Sequence, residues 1–207
     1  MKITTEQMGV LRSLVSGHDT VRYSILHEEV YQTVENHTNR MLAIAPVVAN
    51  IVGFDFDYYD VCAFILAHDL VELGMKQDIT ALEQAQQAEM KKKKEEYEAK
   101  AKIELGEKYG AWLSELLNEY EKQESESARF VKWLDKYEAN RHMLEIDLFA
   151  EIGLINFAVN MGNLIKATNR LPIMKEFTLK HMDEELRKVW ERNDSLDEFL
   201  ELRNRIV

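Results

Sequence analysis

With 2 prolines and 8 glycines in 207 residues, the chain has few of the residues that interrupt backbone hydrogen bonding. Long unbroken elements are therefore possible. Their type follows from periodicity: apolar side chains recur three or four positions apart almost throughout, and no segment shows the two-residue alternation of a convincing strand. The expected fold is an all-α helical bundle. An apolar content of 46% supports a real core and argues against a disordered chain.

The segment from about Thr33 to Val52 puts His37, Met41, Ile44, Ala45, Val48 and Ile51 on one helical face, and Pro46 inside it predicts a kink. Residues 58–73 are apolar nearly all round, the pattern of a central buried helix, with His68, Asp69 and Glu72 set into its end. Gly74 is expected to end this helix and Asp78-Ile-Thr80 to form a turn. Further helices are predicted over 81–105, 111–121, 125–144, 146–168 and 174–203. In the one spanning 125–144, Ala128, Val131, Asp135 and Ala139 share a stripe, so Asp135 interrupts an apolar face. No repeat or low-complexity linker divides the chain. The expected organisation is one domain, 1–145, with a C-terminal helical extension, 146–207, packed on it.

A formal charge of −11 repels a polyphosphate backbone, so broad nucleic-acid binding is not expected. A small phosphorylated substrate is compatible if a metal or an arginine concentrates positive charge locally. Cys62, the only cysteine, excludes an intramolecular disulfide and fits a reducing compartment. Met1–Val15 lacks the pattern of a signal peptide, and no apolar run approaches the roughly 20 residues that cross a bilayer. The expectation is a cytoplasmic, soluble protein without a membrane partner. Lys91–Lys94 reads as a solvated helix face, because Glu95 and Glu96 follow it. Gly-rich phosphate loops, CxxC pairs and GxSxG elbows do not occur, which removes the main kinase, redox and serine-hydrolase readings.

A His-Asp dipeptide is weak evidence alone, and His18-Asp19 in a polar stretch receives no role. His68-Asp69 differs in context, because it ends a helix that otherwise buries apolar side chains, and a buried charge without a partner is costly. His37 and Asp135 occupy apolar faces of other helices. Taken singly, each reads more readily as a hydrogen-bonded core histidine or a capping aspartate than as a ligand. Taken together, two His and two Asp form a ligand set suited to a divalent transition metal, and one cation accounts for all four.

These residues resemble the HD-domain metal-dependent phosphohydrolases, in particular the 5′-deoxynucleotidase branch. The resemblance runs from about Arg22 to Ala139. It rests on Arg22-Tyr23, Val34-Glu-Asn-His37-Thr, Ala67-His-Asp-Leu-Val-Glu72, Asp78-Ile-Thr80 and Ala128-Arg-Phe-Val-Lys-Trp-Leu-Asp135-Lys-Tyr-Glu, in order and at similar spacing. The resemblance implies that His37, His68, Asp69 and Asp135 hold one divalent ion, with Mn, Co or Zn as candidates. It implies that Glu72 and Asp78 position the attacking water or carry its proton. It also implies that Arg22, fifteen residues before His37, holds the phosphate, while Tyr23 packs on the sugar and disfavours a ribose.

This sequence departs from the family pattern at the turn carrying Asp78, which is one residue longer, with Lys76-Gln77 in place of a Gly and Ala81 in place of a Pro. The part from about Asp147 onward lies outside the resemblance and is assigned either a homodimer interface or a cover over the site. The expected activity is hydrolysis of deoxynucleoside 5′-monophosphates, a small-molecule substrate. The runner-up is a deoxynucleoside triphosphate triphosphohydrolase, in which Ile25 neighbours the base. From a different class, an HD-fold binding module without turnover predicts a misassembled metal site.

Overall fold

The computed structural model describes residues 3–16, 21–22, 32–72, 88–145 and 149–206, without the side chains of 21–22 and 149–153. The fold among them is all-α. Helix α1 (Thr5–Val15) opens with a capping box: Thr4 Oγ1 accepts from the Gln7 amide at 3.2 Å, and Gln7 Oε1 accepts from the Thr4 amide at 2.8 Å. Helix α2 (Val34–Val52) starts on Thr33, whose Oγ1 accepts from the Asn36 amide, and ends on Gly53 at φ 67°, a left-handed cap that glycine adopts without steric cost. It runs through Pro46, which lies on the exposed side where the lost backbone donor faces away from the core. Just before α2, a two-residue antiparallel pairing joins Val21–Arg22 to Gln32–Thr33, with Arg22 opposite Gln32. Periodicity cannot register a strand this short.

Helix α3 (Tyr58–Ala67) is the central one, with Val61, Ala63, Phe64, Ile65, Leu66 and Ala67 all buried and α1, α2 and the helices over Ala111–Lys122 and Glu126–Glu145 packed around it. It ends earlier than the predicted 58–73. His68 caps it, and a 3-10 turn, Leu70–Glu72, follows, closed by the Glu72 amide donating to the Asp69 carbonyl at 2.9 Å. Helices α4 (Ala88–Tyr109) and α5 (Ala111–Lys122) form a hairpin. They come so close at Gly106 that a Cβ there would lie 2.0 Å from Ser114 Oγ. The predicted start of α4 at 81, with Gly74 and the Asp78 turn, lies outside the described residues.

Helix α6 (Glu126–Glu145) packs against α2, α3, α5 and α7 (Phe149–Arg170). The single helix expected over 174–203 is divided into α8 (Lys175–His181), a π-helical turn (Met182–Leu186), α9 (Arg187–Arg192) and α10 (Leu196–Arg203). The break before α10 falls at Asn193-Asp194-Ser195, where Asp194 takes φ 54° and the Asn193 side-chain Nδ2 donates to the Val189 carbonyl at 2.8 Å. Short polar side chains that bond to nearby backbone compete with helical pairing in this way.

Two apolar clusters result. The larger surrounds α3 and draws Leu164, Ala167 and Leu171 from α7 and the connection after it. The smaller packs Met143 of α6 and Phe157 of α7 against Trp190 and Phe199.

Candidate metal centre

Three helices meet at the inner ends of His37, His68 and Asp135. His37 lies on the first turns of α2, His68 caps α3, and Asp135 sits midway along α6; their exposures are 0%, 6% and 3%. One ligand atom from each lies within 4.8 Å of the others. Around an ion with bonds of about 2.1 Å, neighbouring donors stand about 3–4 Å apart, so small side-chain movements close the site.

Each imidazole is oriented by its far nitrogen. The Nδ1–H of His37 donates to the Glu138 carboxylate, which also accepts from Arg40 Nε and from Gln32 Nε2 at 3.0 Å. The Nδ1–H of His68 donates to the Ile65 carbonyl at 2.6 Å. A carboxylate and a carbonyl can only accept, so both rings carry their proton on Nδ1 and turn the Nε2 lone pair inward. Both Nε2 atoms are buried and make no hydrogen bond among the described residues. His37 Nε2 faces Asp135 Oδ1 at 3.4 Å, and His68 Nε2 faces Asp69 Oδ2 at 3.1 Å. Two buried nitrogen lone pairs, one beside the buried Asp135 carboxylate and one beside the half-buried Asp69, fit a divalent cation, and the carboxylate–His37 pair is the usual outer support of such a ligand.

The electrostatics agree with that fit. Burial opposes a charge on His68, yet Asp69, Asp135 and the Ile65 carbonyl outweigh it and push its pKa up. Burial likewise opposes the Asp135 carboxylate, but Lys136, His37, Lys132 and His68 hold its pKa well below the usual range. The same negative field that attracts a proton to His68 attracts a cation, and metal and proton compete for its nitrogen.

Of the predicted ligands, His37, His68 and Asp135 come together, while Asp69 stands at the rim against His68 and is not part of the mutual cluster. Glu72 is buried in the 3-10 turn that follows His68, and its Oε1 accepts from Lys94 Nζ at 2.8 Å. Lys94 therefore departs from the solvated face expected of Lys91–Lys94: its side chain is 12% exposed, against 61% for Lys91 and 76% for Lys92. Lys136 and Lys132 reach Asp135 Oδ2 at 2.9 and 3.6 Å. The backbone of Arg22 pairs with that of Gln32, the residue that supports Glu138. The Arg22 side chain, Tyr23 and Asp78 lie outside the described residues, as does His18-Asp19.

Sequence reading missed Glu138, Arg40, Gln32 and Lys94. Glu138 had a usable signal, since it follows Asp135 by three residues and shares its buried helical face. Lys94 had none, because its run gives no hint which lysine turns inward.

Among the described residues no helix is long and apolar enough to cross a membrane. Comparison with curated proteins and with solved structures returned no match. The comparison with families did: residues 18–148, more than half of the chain and spanning all three clustered side chains, match the family model described as HD domain. HD domains are in general metal-dependent hydrolases. With the all-α fold and the His37–His68–Asp135 cluster in place, this match makes the chain a member of the HD-domain family.

Proposed function

We propose that the protein is a metal-dependent nucleotide phosphohydrolase, and most specifically a 5′-deoxynucleotidase that splits deoxynucleoside 5′-monophosphates into deoxynucleosides and phosphate. The observation that carries this reading is the pair of inward-facing imidazole nitrogens, each with its outer nitrogen already engaged, set against the Asp135 carboxylate. His37, His68 and Asp135 would hold the ion, with Asp69 completing the set from the rim. A divalent cation supplies Lewis-acid polarisation of a phosphoryl oxygen and brings the ionisation of water toward neutral pH.

The remaining work falls to the protein's own side chains. Water's oxygen bonds to phosphorus as the bond to the 5′ oxygen breaks, so one proton must leave the water and one must reach the leaving oxygen. Glu72, a buried carboxylate steadied by Lys94, is the group proposed to move them, with Asp78 assisting. Lys132 and Lys136 place positive charge beside Asp135, where the phosphate's own charge would otherwise meet carboxylates. Arg22 and Tyr23 are proposed to hold the phosphate and the sugar.

A panel assay tests the reading. Metal-loaded protein is screened against deoxynucleoside and nucleoside monophosphates and against deoxynucleoside triphosphates, with His68→Ala and Glu72→Ala alongside. Phosphate release from the deoxynucleoside monophosphates is expected. His68→Ala should lose its metal, whereas Glu72→Ala should keep it and turn over about 10²–10⁴-fold more slowly. Release of triphosphate would transfer the assignment to the triphosphohydrolase. Absence of turnover on every nucleotide with added Mn or Co would favour a binding module.

A further inference from the structure

Beside the metal centre, between α6 and α7, lies a cleft of about 490 Å³. Among the described residues its lining is Lys132, Lys136, Lys166 and Arg170 with three side-chain amides and one alanine, and it includes no carboxylate. On a chain with 37 acidic against 26 basic residues, this concentration of one sign runs against the surface as a whole. A larger cleft of about 770 Å³ adjoins it, shares Lys136, Lys166, Asn163 and Asn169, and adds Lys91 and Arg205 against one carboxylate among the described residues, Glu198.

The four cations are held in different ways. Arg170 donates to the neutral Gln123 amide at 2.8 Å, and Lys166 has no carboxylate partner among the described residues. Lys166 and Arg170 are four residues apart and exposed on one face of α7. Lys132 and Lys136 both approach Asp135 Oδ2, while Asp135 Oδ1 faces His37. One carboxylate thus separates the cleft from the metal centre. Among the described residues the excess of positive charge rests on Lys166 and Arg170, which no carboxylate offsets, and an anion would relieve their mutual repulsion.

We propose that this cleft binds the phosphate chain of a nucleoside polyphosphate, extending the phosphate site of the metal centre along α7. The proposal rests on the hydrolase reading only in supposing that a phosphate sits at the centre. Lys166 and Arg170 lie outside the residues that match the family, so the cleft is a feature of this chain's own C-terminal part. A chain of two or three phosphates spans both regions, so polyphosphates bind more tightly than orthophosphate.

Calorimetric titration of the full-length protein, metal-loaded and metal-stripped, with orthophosphate, pyrophosphate and tripolyphosphate tests this. Affinity should rise with the number of phosphates and fall as salt is added. Lys166→Glu and Arg170→Glu should each weaken tripolyphosphate binding about tenfold or more, the scale of one lost charge-assisted contact, with metal content and helical circular dichroism unchanged. Lys92→Glu, on the exposed face of α4, should bind as the parent does. Equal affinities for the three probes would overturn the proposal. So would equal losses in Lys92→Glu and Lys166→Glu, or tighter binding of a single-stranded oligonucleotide than of tripolyphosphate. Graded binding in a protein that hydrolyses no nucleotide would sink the hydrolase reading and leave the cleft standing; hydrolysis without graded binding would do the reverse.

Discussion

The two histidines of the centre are oriented by unlike partners, and the difference has consequences. His68 relies on a backbone carbonyl three residues before it, which no substitution removes without breaking the end of α3. His37 relies on Glu138, a side chain buried at 0% exposure and itself steadied by Arg40 and Gln32. Glu138→Gln keeps the shape and removes the charge, so it should weaken metal affinity about 10–100-fold while leaving the fold intact. Metal titration of that variant, with circular dichroism as a control, checks this; unchanged affinity would show that Glu138 is not the support of His37. At this scale His37 and Asp135 were legible in the sequence, because a polar residue on an apolar stripe stands out. Their supporting residues were less so: Glu138 is marked only by its spacing from Asp135, and its partners Arg40 and Gln32 by nothing in the sequence. Lys94 reaches Glu72 across a distance in sequence that no periodicity encodes.

Among the elements, the helices that periodicity located most closely are those with one clear apolar face. Helices α2 and α5 begin and end within a residue or two of expectation, since burial of Met41 or Leu117 on a fixed face leaves little choice of register; α6 is located as closely although it is buried on most sides. Where apolar residues run all round, as in α3, periodicity cannot say where the helix stops, and the 3-10 turn at Leu70–Glu72 went unread. The C-terminal stretch failed for the opposite reason, because local hydrogen bonding by Asn193 decides the break. Helices α6, α7 and α8 are joined by a buried polar relay: Trp133 Nε1 donates to Thr178 Oγ1 at 3.0 Å, and the Thr178 and Thr168 hydroxyls meet at 3.1 Å. Thr178→Val preserves volume but strands the indole N–H, at a cost of about 1–3 kcal/mol. Thermal unfolding should fall by about 2–4 °C for each kcal/mol lost, with Thr178→Ser close to the parent. A valine variant as stable as the parent would mean that the relay contributes nothing.

For the whole molecule, the sequence elements of the centre lie about a hundred positions apart, and only the packing of α2, α3 and α6 around one core brings them together. That all-α packing was foreseeable from the scarcity of helix breakers and from the apolar stripes. The basic cleft was not, because net charge averages over the surface and hides a local excess of the opposite sign. A cation bound by three helices should also stabilise the native state against the unfolded chain, in which the site does not exist. The most direct test is the stoichiometry of metal uptake by the purified protein, followed by titration of Mn and Co into His37→Ala and Asp135→Ala. One ion per chain, lost in both variants and accompanied by a higher melting temperature in the parent, is the expected result. No stoichiometric uptake, or uptake that survives either substitution, would contradict a centre built from His37, His68 and Asp135.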